Sequence, residues 1–164
     1  MKIEASVLES ALGRPHSGPE IQRLFSALGI SEQDLEPDPM DEDWRRLFED
    51  AETLGIQLEF EHECLRGDGP CGDPGEGPWI LDQLFILSSL ESDTEYSGEI
   101  PCGLSFEMSR EQLREILGAP TSETGVDDTD AWTMDSFRLV VSYETSSWAV
   151  RYFGLQSFGD GESG

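Results

Sequence analysis

Asp127, Asp128 and Asp130 stand within four positions of one another, and Asp68 and Asp73 fall in a stretch dense in glycine and proline. Carboxylates crowded in this way are the groups that hold a hard divalent cation, so a small metal-dependent enzyme is one chemistry the chain could carry. Neither place follows the calcium-loop order of alternating Asp or Asn, a glycine and a distal glutamate, and solvated loop charge is the simpler reading. The other reactive side chains are sparse. His16 sits in an expected turn before a helix, and His62 continues the inward parity of a strand, where a partly buried histidine is the ordinary outcome. No serine or cysteine stands at a recognisable spacing from either, and no nucleophile elbow, zinc-protease pair or phosphate loop is present. Cys64, Cys71 and Cys102 are odd in number and lack metal-site spacing. They read as reduced thiols, with a Cys64–Cys71 redox pair left open because a hairpin could draw the two together.

Charge bounds the partners more sharply than any motif. Ten basic and thirty-five acidic residues in 164 give a net charge of −25, far beyond what solubility requires. A field of that sign repels nucleic acid, anionic membrane and acidic substrates, and it attracts basic partners with a salt-sensitive on-rate. A hydrophobic share of 37%, with four Trp and eight Phe, is too rich for an acidic disordered chain. MKIEASVLES carries Glu4 and Glu9 where a secretory signal needs an apolar run, and no stretch has the length and hydropathy of a membrane span, so the expected location is cytoplasmic.

The elements that would position these groups can be read along the chain. VLESALGRP and QLREILGAP share Leu, Leu, Gly and Pro at the same offsets (Leu8, Leu12, Gly13, Pro15; Leu113, Leu117, Gly118, Pro120), the way two helices end at a left-handed glycine with a proline beyond. The second helix is fully specified: Ser109 and Gln112 form a capping box, Met108 can staple on Leu113, and Leu113, Ile116 and Leu117 share a face. The first has Ser6 and Glu9 as a candidate box. Between them Pro19 opens a helix striped by Ile21, Leu24, Phe25 and Leu28 and closed by Gly29. An acidic connector over 31–43 leads to Trp44, Leu47, Phe48, Ala51 and Leu54, whose spacing predicts another helix. GIQLEFEHE alternates, with Ile56, Leu58 and Phe60 facing one way and Gln57, Glu59, Glu61 and Glu63 the other. The loop over 66–78 is followed by WILDQLFILSSL, apolar enough to predict burial on both faces except near Asp82 and Gln83. DAWTMDSF, RLVVSYE and WAVRYFGLQSF read as three antiparallel strands, with Leu139, Val141 and Tyr143 on one face and Trp148, Val150 and Tyr152 alternating likewise. The fold expected is α+β, with helices packed on one face of an antiparallel sheet. One domain spans 1–160, with 1–98 and 99–160 as candidate halves, and 161–164 form a disordered tail.

With no catalytic set, a surface is what remains. Glu59, Glu61 and Glu63 project from one strand face at roughly 6.5 to 7 Å intervals, a strip able to dock lysines and arginines. Glu91, Asp93 and Glu95 follow in a loop where Tyr96 stands among carboxylates as a candidate interface anchor. Gln57, Glu59, Glu61, Glu63, Glu91, Asp93, Glu95 and Tyr96 are therefore the expected contact residues. The strip also leaves open an acidic mimic of nucleic acid, occupying the DNA site of another protein.

Across residues 5 to 158 the chain resembles bacterial immunity proteins of polymorphic toxin systems. The similarity lies in ALGRPHSGPEIQRLFSALG, LGIQLEFEHE, WILDQLFILSSL, IPCGLSFEMSREQLREILGAPTSE, DAWTMDSFRLVVSYE and WAVRYFGLQSF. The run from LSFEMSREQLREILGAP through Trp132 to VSYE also resembles the helix-plus-sheet unit of the β-lactamase inhibitor protein and of small outer-membrane assembly lipoproteins. The resemblance implies a non-enzymatic protein without cofactor or metal that binds a cognate toxin and blocks its active site or an adjacent exosite; the net charge makes a basic nuclease-type effector the natural target, with a deaminase, peptidase or other toxin left open. It implies no nucleic-acid or membrane partner and carries over no contact residue.

Overall fold

The computed structural model describes residues 3–37, 45–48, 54–63, 78–120 and 128–158. Among them are helices α1 (Ala5–Ala11), α2 (Pro19–Leu28) and α3 (Arg110–Leu117) and strands β1 (Leu35–Pro37), β2 (Arg45–Phe48), β3 (Ile56–His62), β4 (Trp79–Leu87), β5 (Thr129–Thr133), β6 (Arg138–Tyr143) and β7 (Val150–Gln156). The strands form one seven-stranded sheet in the order β1-β2-β3-β4-β7-β6-β5, antiparallel at every junction. The class is α+β, as the alternation of helical and period-two stretches predicts. The loop over 66–77, Cys64, Cys71 and the tail 161–164 lie outside the described residues.

Register assigns the two faces. Ile56, Ile86, Phe153, Val141 and Asp130 stand side by side across five strands, and Leu58, Leu84, Leu155, Leu139 and Trp132 make the next row. All ten are buried. Apolar side chains of α1 (Leu8, Ala11), α2 (Ile21, Leu24, Phe25, Leu28) and α3 (Leu113) join these rows in one core, and the Phe25 and Phe60 rings meet at 6.0 Å. Fully burying one such aliphatic or aromatic side chain stabilises the fold by ~1.5–3 kcal/mol, so this face of the sheet holds the protein together.

The structure departs from the local sequence pattern at four places. Of the stretch 44–54 expected to be helical, residues 45–48 form strand β2, because Arg45 and Leu47 pair with Glu61 and Glu59 of β3 and strand pairing overrides the local spacing; Leu54 is helical, and Trp44 and residues 49–53 lie outside the described residues. Ser6 lies inside α1, which begins at Ala5 without a side-chain cap of its own; the Ala5 N–H instead donates to the distant Glu99 carboxylate at 3.1 Å. Ile116 is 52% exposed, since the side of α3 that meets the sheet is the 110/113/114/117 face, with Leu113 buried and Arg110 and Arg114 bonded to Asp130. Tyr152 does not share the side of Val150: the register slips between Ser142 and Tyr143, and one inserted residue reverses every later side chain.

The two Leu-Gly-x-Pro stops serve different purposes. After α1, Gly13 (φ 78°) turns the chain so that its N–H donates to Leu81 O at 2.8 Å and Arg14 O accepts from the Leu81 N–H at 3.1 Å. Pro15 and His16 continue alongside β4, and the Trp79 N–H donates to His16 Nδ1 at 3.0 Å. After α3, Gly118 O accepts from the Trp132 indole at 3.0 Å, tying the helix end to the edge strand β5.

Candidate partner-binding surface

The opposite face of the sheet is built from the other parity. Its rows read Gln57, Phe85, Gly154, Val140 and Ala131; then Glu59, Gln83, Gln156, Arg138 and Thr133; then Leu87, Tyr152, Ser142 and Thr129. Phe85, Leu87, Val140 and Tyr152 are only half-buried, in contrast to the core rows. Phe85 lies across Gly154, where an added Cβ would come 3.2 Å from two of its ring carbons. The edge of one ring meets the face of the other in the Phe85–Tyr152 pair, with centroids 5.3 Å apart. The glycine lets a large ring settle on the backbone and keep another side toward solvent. A half-exposed aromatic pair on a rigid sheet is the kind of anchor that protein interfaces use.

Polar side chains frame this apolar centre. Gln83 donates to Glu59, and Gln156 donates to Gln83 Oε1 at 3.3 Å, a ladder across β3, β4 and β7. Toward the Glu61 end, Arg45 stands 3.6 Å from Glu61 and 3.7 Å from Asp82. Toward the Tyr152 end, Arg151, the residue inserted by the β7 bulge, pairs with Glu91, while its carbonyl accepts from Ser88 Oγ at 2.8 Å.

The expected contact residues divide accordingly. Gln57 and Glu59 are half-buried on this face, and Glu59 takes the amide of Gln83. Glu61 is only 9% exposed and ion-paired, so the evenly spaced strip of open carboxylates does not exist. Glu63 is exposed at the far end of β3, about six residues and ~20 Å from Gln57. Glu91, Asp93 and Glu95 lie at the other end, in the loop after β4. The structure does not bring the two acidic groups together; the Phe85–Tyr152 centre lies between them. Tyr96 is corrected most plainly. It is 5% exposed, its hydroxyl donates to Glu99 O at 3.4 Å, and its backbone packs so tightly on Gly55 that a Cβ there would strike it. Burial first and the Glu99 charge second push its phenol up to about 12. It fastens the loop to the start of β3 and is not an exposed anchor.

A second constellation joins α3 to the sheet edge. Asp130, 3% exposed on β5, accepts from Arg110 Nε and Nη2 at 3.1 and 3.0 Å, from Arg114 Nε and Nη2 at 3.1 and 2.7 Å, and from Tyr143 Oη at 3.0 Å. Burial alone would raise this carboxyl, but the hydrogen bonds from Arg114, Arg110 and Tyr143 and the Arg110 charge hold it at about 2. The Tyr143 phenol is raised by burial and by the Asp130 charge. Both oxygens of Asp130 are thereby engaged, which removes the central ligand of the cation site imagined over 127–130; Asp127, Asp68 and Asp73 lie outside the described residues. Among the described residues no three His, Cys, Asp or Glu side chains cluster as metal ligands. His62 is buried edge-on against Trp79, whose ring also carries Arg46 at 4.2 Å. No helix is long and apolar enough to cross a membrane among the described residues.

Compared with family models, curated proteins and solved structures, the chain matches none of them.

Proposed function

We propose that this chain is an immunity-type binding protein that neutralises a basic bacterial toxin by covering its active site or the surface beside it. The observation that carries the reading is the half-exposed Phe85–Tyr152 pair seated over Gly154 on the non-core face of the sheet. Around it, the four carboxylates Glu59, Glu61, Asp82 and Glu91 are each bonded to a partner, but only two of the partners' groups are cations, Arg45 and Arg151, with the Gln83 amide the third, so the face stays mildly negative. The large negative total of −25 therefore acts at range: it steers a basic partner, and the aromatic centre supplies the short-range contact. A bonded pair such as Arg45–Glu61 is worth ~0–1 kcal/mol at a surface, and a partner arginine gains little by displacing it. An exposed Glu63, Asp93 or Glu95 has more to offer. The alternative of a nucleic-acid mimic loses its support, because the regular carboxylate spacing is broken by the engagement of Glu59 and Glu61.

Co-expression with the protein encoded beside it, affinity purification and a salt titration test the proposal. A stable one-to-one complex whose association rate falls steeply with salt, together with restored growth of cells expressing that neighbour, is the expected result. Absence of a complex with any adjacent product, and normal growth without this chain, would overturn it.

A further inference from the structure

The β6–β7 hairpin closes through Glu144 and Ala149, the Glu144 N–H donating to Ala149 O at 2.8 Å and the Trp148 N–H to Glu144 O at 2.7 Å. Trp148 occupies the left-handed position of this turn, with φ at +59°. Hairpins of this kind favour glycine there, and a bulky aromatic at positive φ is a conformational outlier of the sort that clusters at binding sites. The strain is not offset by burial, since Trp148 is 41% exposed. One side of its ring faces Arg110, whose guanidinium carbon stands 4.9 Å from the ring centroid, while the bonds from Arg110 to Asp130 fix that cation in place. The ring borders a groove between the hairpin and the start of α3 whose walls include Phe106, Met108, Glu107 and Glu111. The hairpin tip lies at the Tyr152 end of the sheet, and the groove opens on the helix-bearing side, where Arg110 also covers the Tyr143 ring and Phe106 stacks on Phe153, across the sheet from the Phe85–Tyr152 pair.

We infer that Trp148 is a second anchor for a basic partner, its solvent side receiving an arginine or lysine side chain while Arg110 holds the other side. The inference rests on the reading of a basic partner. Charge complementarity selects that occupant: Arg110 and Arg114 are committed to Asp130, which leaves Glu107 and Glu111 as the carboxylates lining the groove with the ring. An indole with carboxylates near it takes up guanidinium and ammonium groups through ring electrostatics and charge together, and tryptophan is among the residues that dominate interface energies.

The test uses the full chain labelled with ¹⁵N and titrated with arginine amide at physiological salt, with glutamine amide as the control. The Trp148 indole N–H is expected to shift with arginine amide alone, while those of the buried Trp79 and Trp132 stay still. Trp148→Gly should leave the melting temperature unchanged or higher, because glycine relieves the positive φ, and should weaken the complex with the toxin by about tenfold or more. No arginine-specific shift at Trp148, or a clear fall in melting temperature on Trp148→Gly, would overturn the inference by making the residue structural. A complex that forms but ignores Trp148→Gly refutes this anchor and leaves the proposed function standing. Failure to find any complex refutes that function, and the arginine-amide titration still decides the anchor.

Discussion

Arg110 lays two guanidinium nitrogens, Nε and Nη2, against the two oxygens of Asp130 at 3.1 and 3.0 Å, and so binds the first turn of α3 to the edge strand of the sheet. Arg114 repeats the arrangement one turn later. Removing the carboxylate would leave two cations facing a site built for an anion. Asp130→Ala is expected to destabilise the protein by ~3–5 kcal/mol, a fall of about 10 °C in Tm, whereas Glu111→Ala on the exposed side of the same helix should change little. Thermal or urea denaturation of both variants checks this.

The same carboxyl sets an acid limit. Its folded value of about 2 lies below the ordinary 3.8, so the stabilisation is complete above about pH 4 and is lost as pH falls toward about 2. The difference corresponds to ~2 kcal/mol. Asp130→Asn is expected to be less stable than wild type at pH 6, with the gap closing as pH is lowered through that window. Urea midpoints measured between pH 2 and 6 give the comparison.

Gly55 and Tyr96 hold the loop after β4 in place. Gly55 combines φ +72° with a Cβ position that would fall 2.6 Å from Thr94 O, so Gly55→Ala must displace backbone. A loss of ~2 kcal/mol or more is expected, readable as faster hydrogen exchange in residues 93–99. Because the buried Tyr96 phenol is pushed up to about 12, its stabilisation is present below pH 10 and lost as pH rises through about 12. Tyr96→Phe should abolish that alkaline loss.

Strands with one buried face were legible because alternation carries their register: Ile56–Phe60 and Leu139–Tyr143 point as their parity requires. The capping box of α3 was legible for the same local reason, since Ser109 and Gln112 are three residues apart and both bonds form. What local pattern could not supply was long-range pairing. Asp130 meets Arg110, Arg114 and Tyr143 across 20, 16 and 13 positions, and read locally it was one more loop aspartate. The apolar run of β4 suggested two buried faces, yet Phe85 and Leu87 keep part of theirs in solvent. The glycine under Phe85 comes from β7, and the bulge that turns Tyr152 beside it leaves no mark in composition. Tyr96 was misplaced because polar neighbours predicted exposure, while its contact with Gly55 depends on tertiary structure.

The central claim is that the Phe85–Tyr152 face receives a basic partner. Tyr152→Lys places a like charge in the middle of that face while leaving the opposite, core face untouched. The most direct measurement is the dissociation constant of the purified complex for wild type and Tyr152→Lys at one salt concentration, with melting temperatures recorded alongside. Tyr152→Lys is expected to lose affinity by about 30-fold or more, the size expected for disrupting an interface hot spot, with the melting temperature held within a few degrees. Equal affinity for the two proteins would contradict it and move the binding surface off this face.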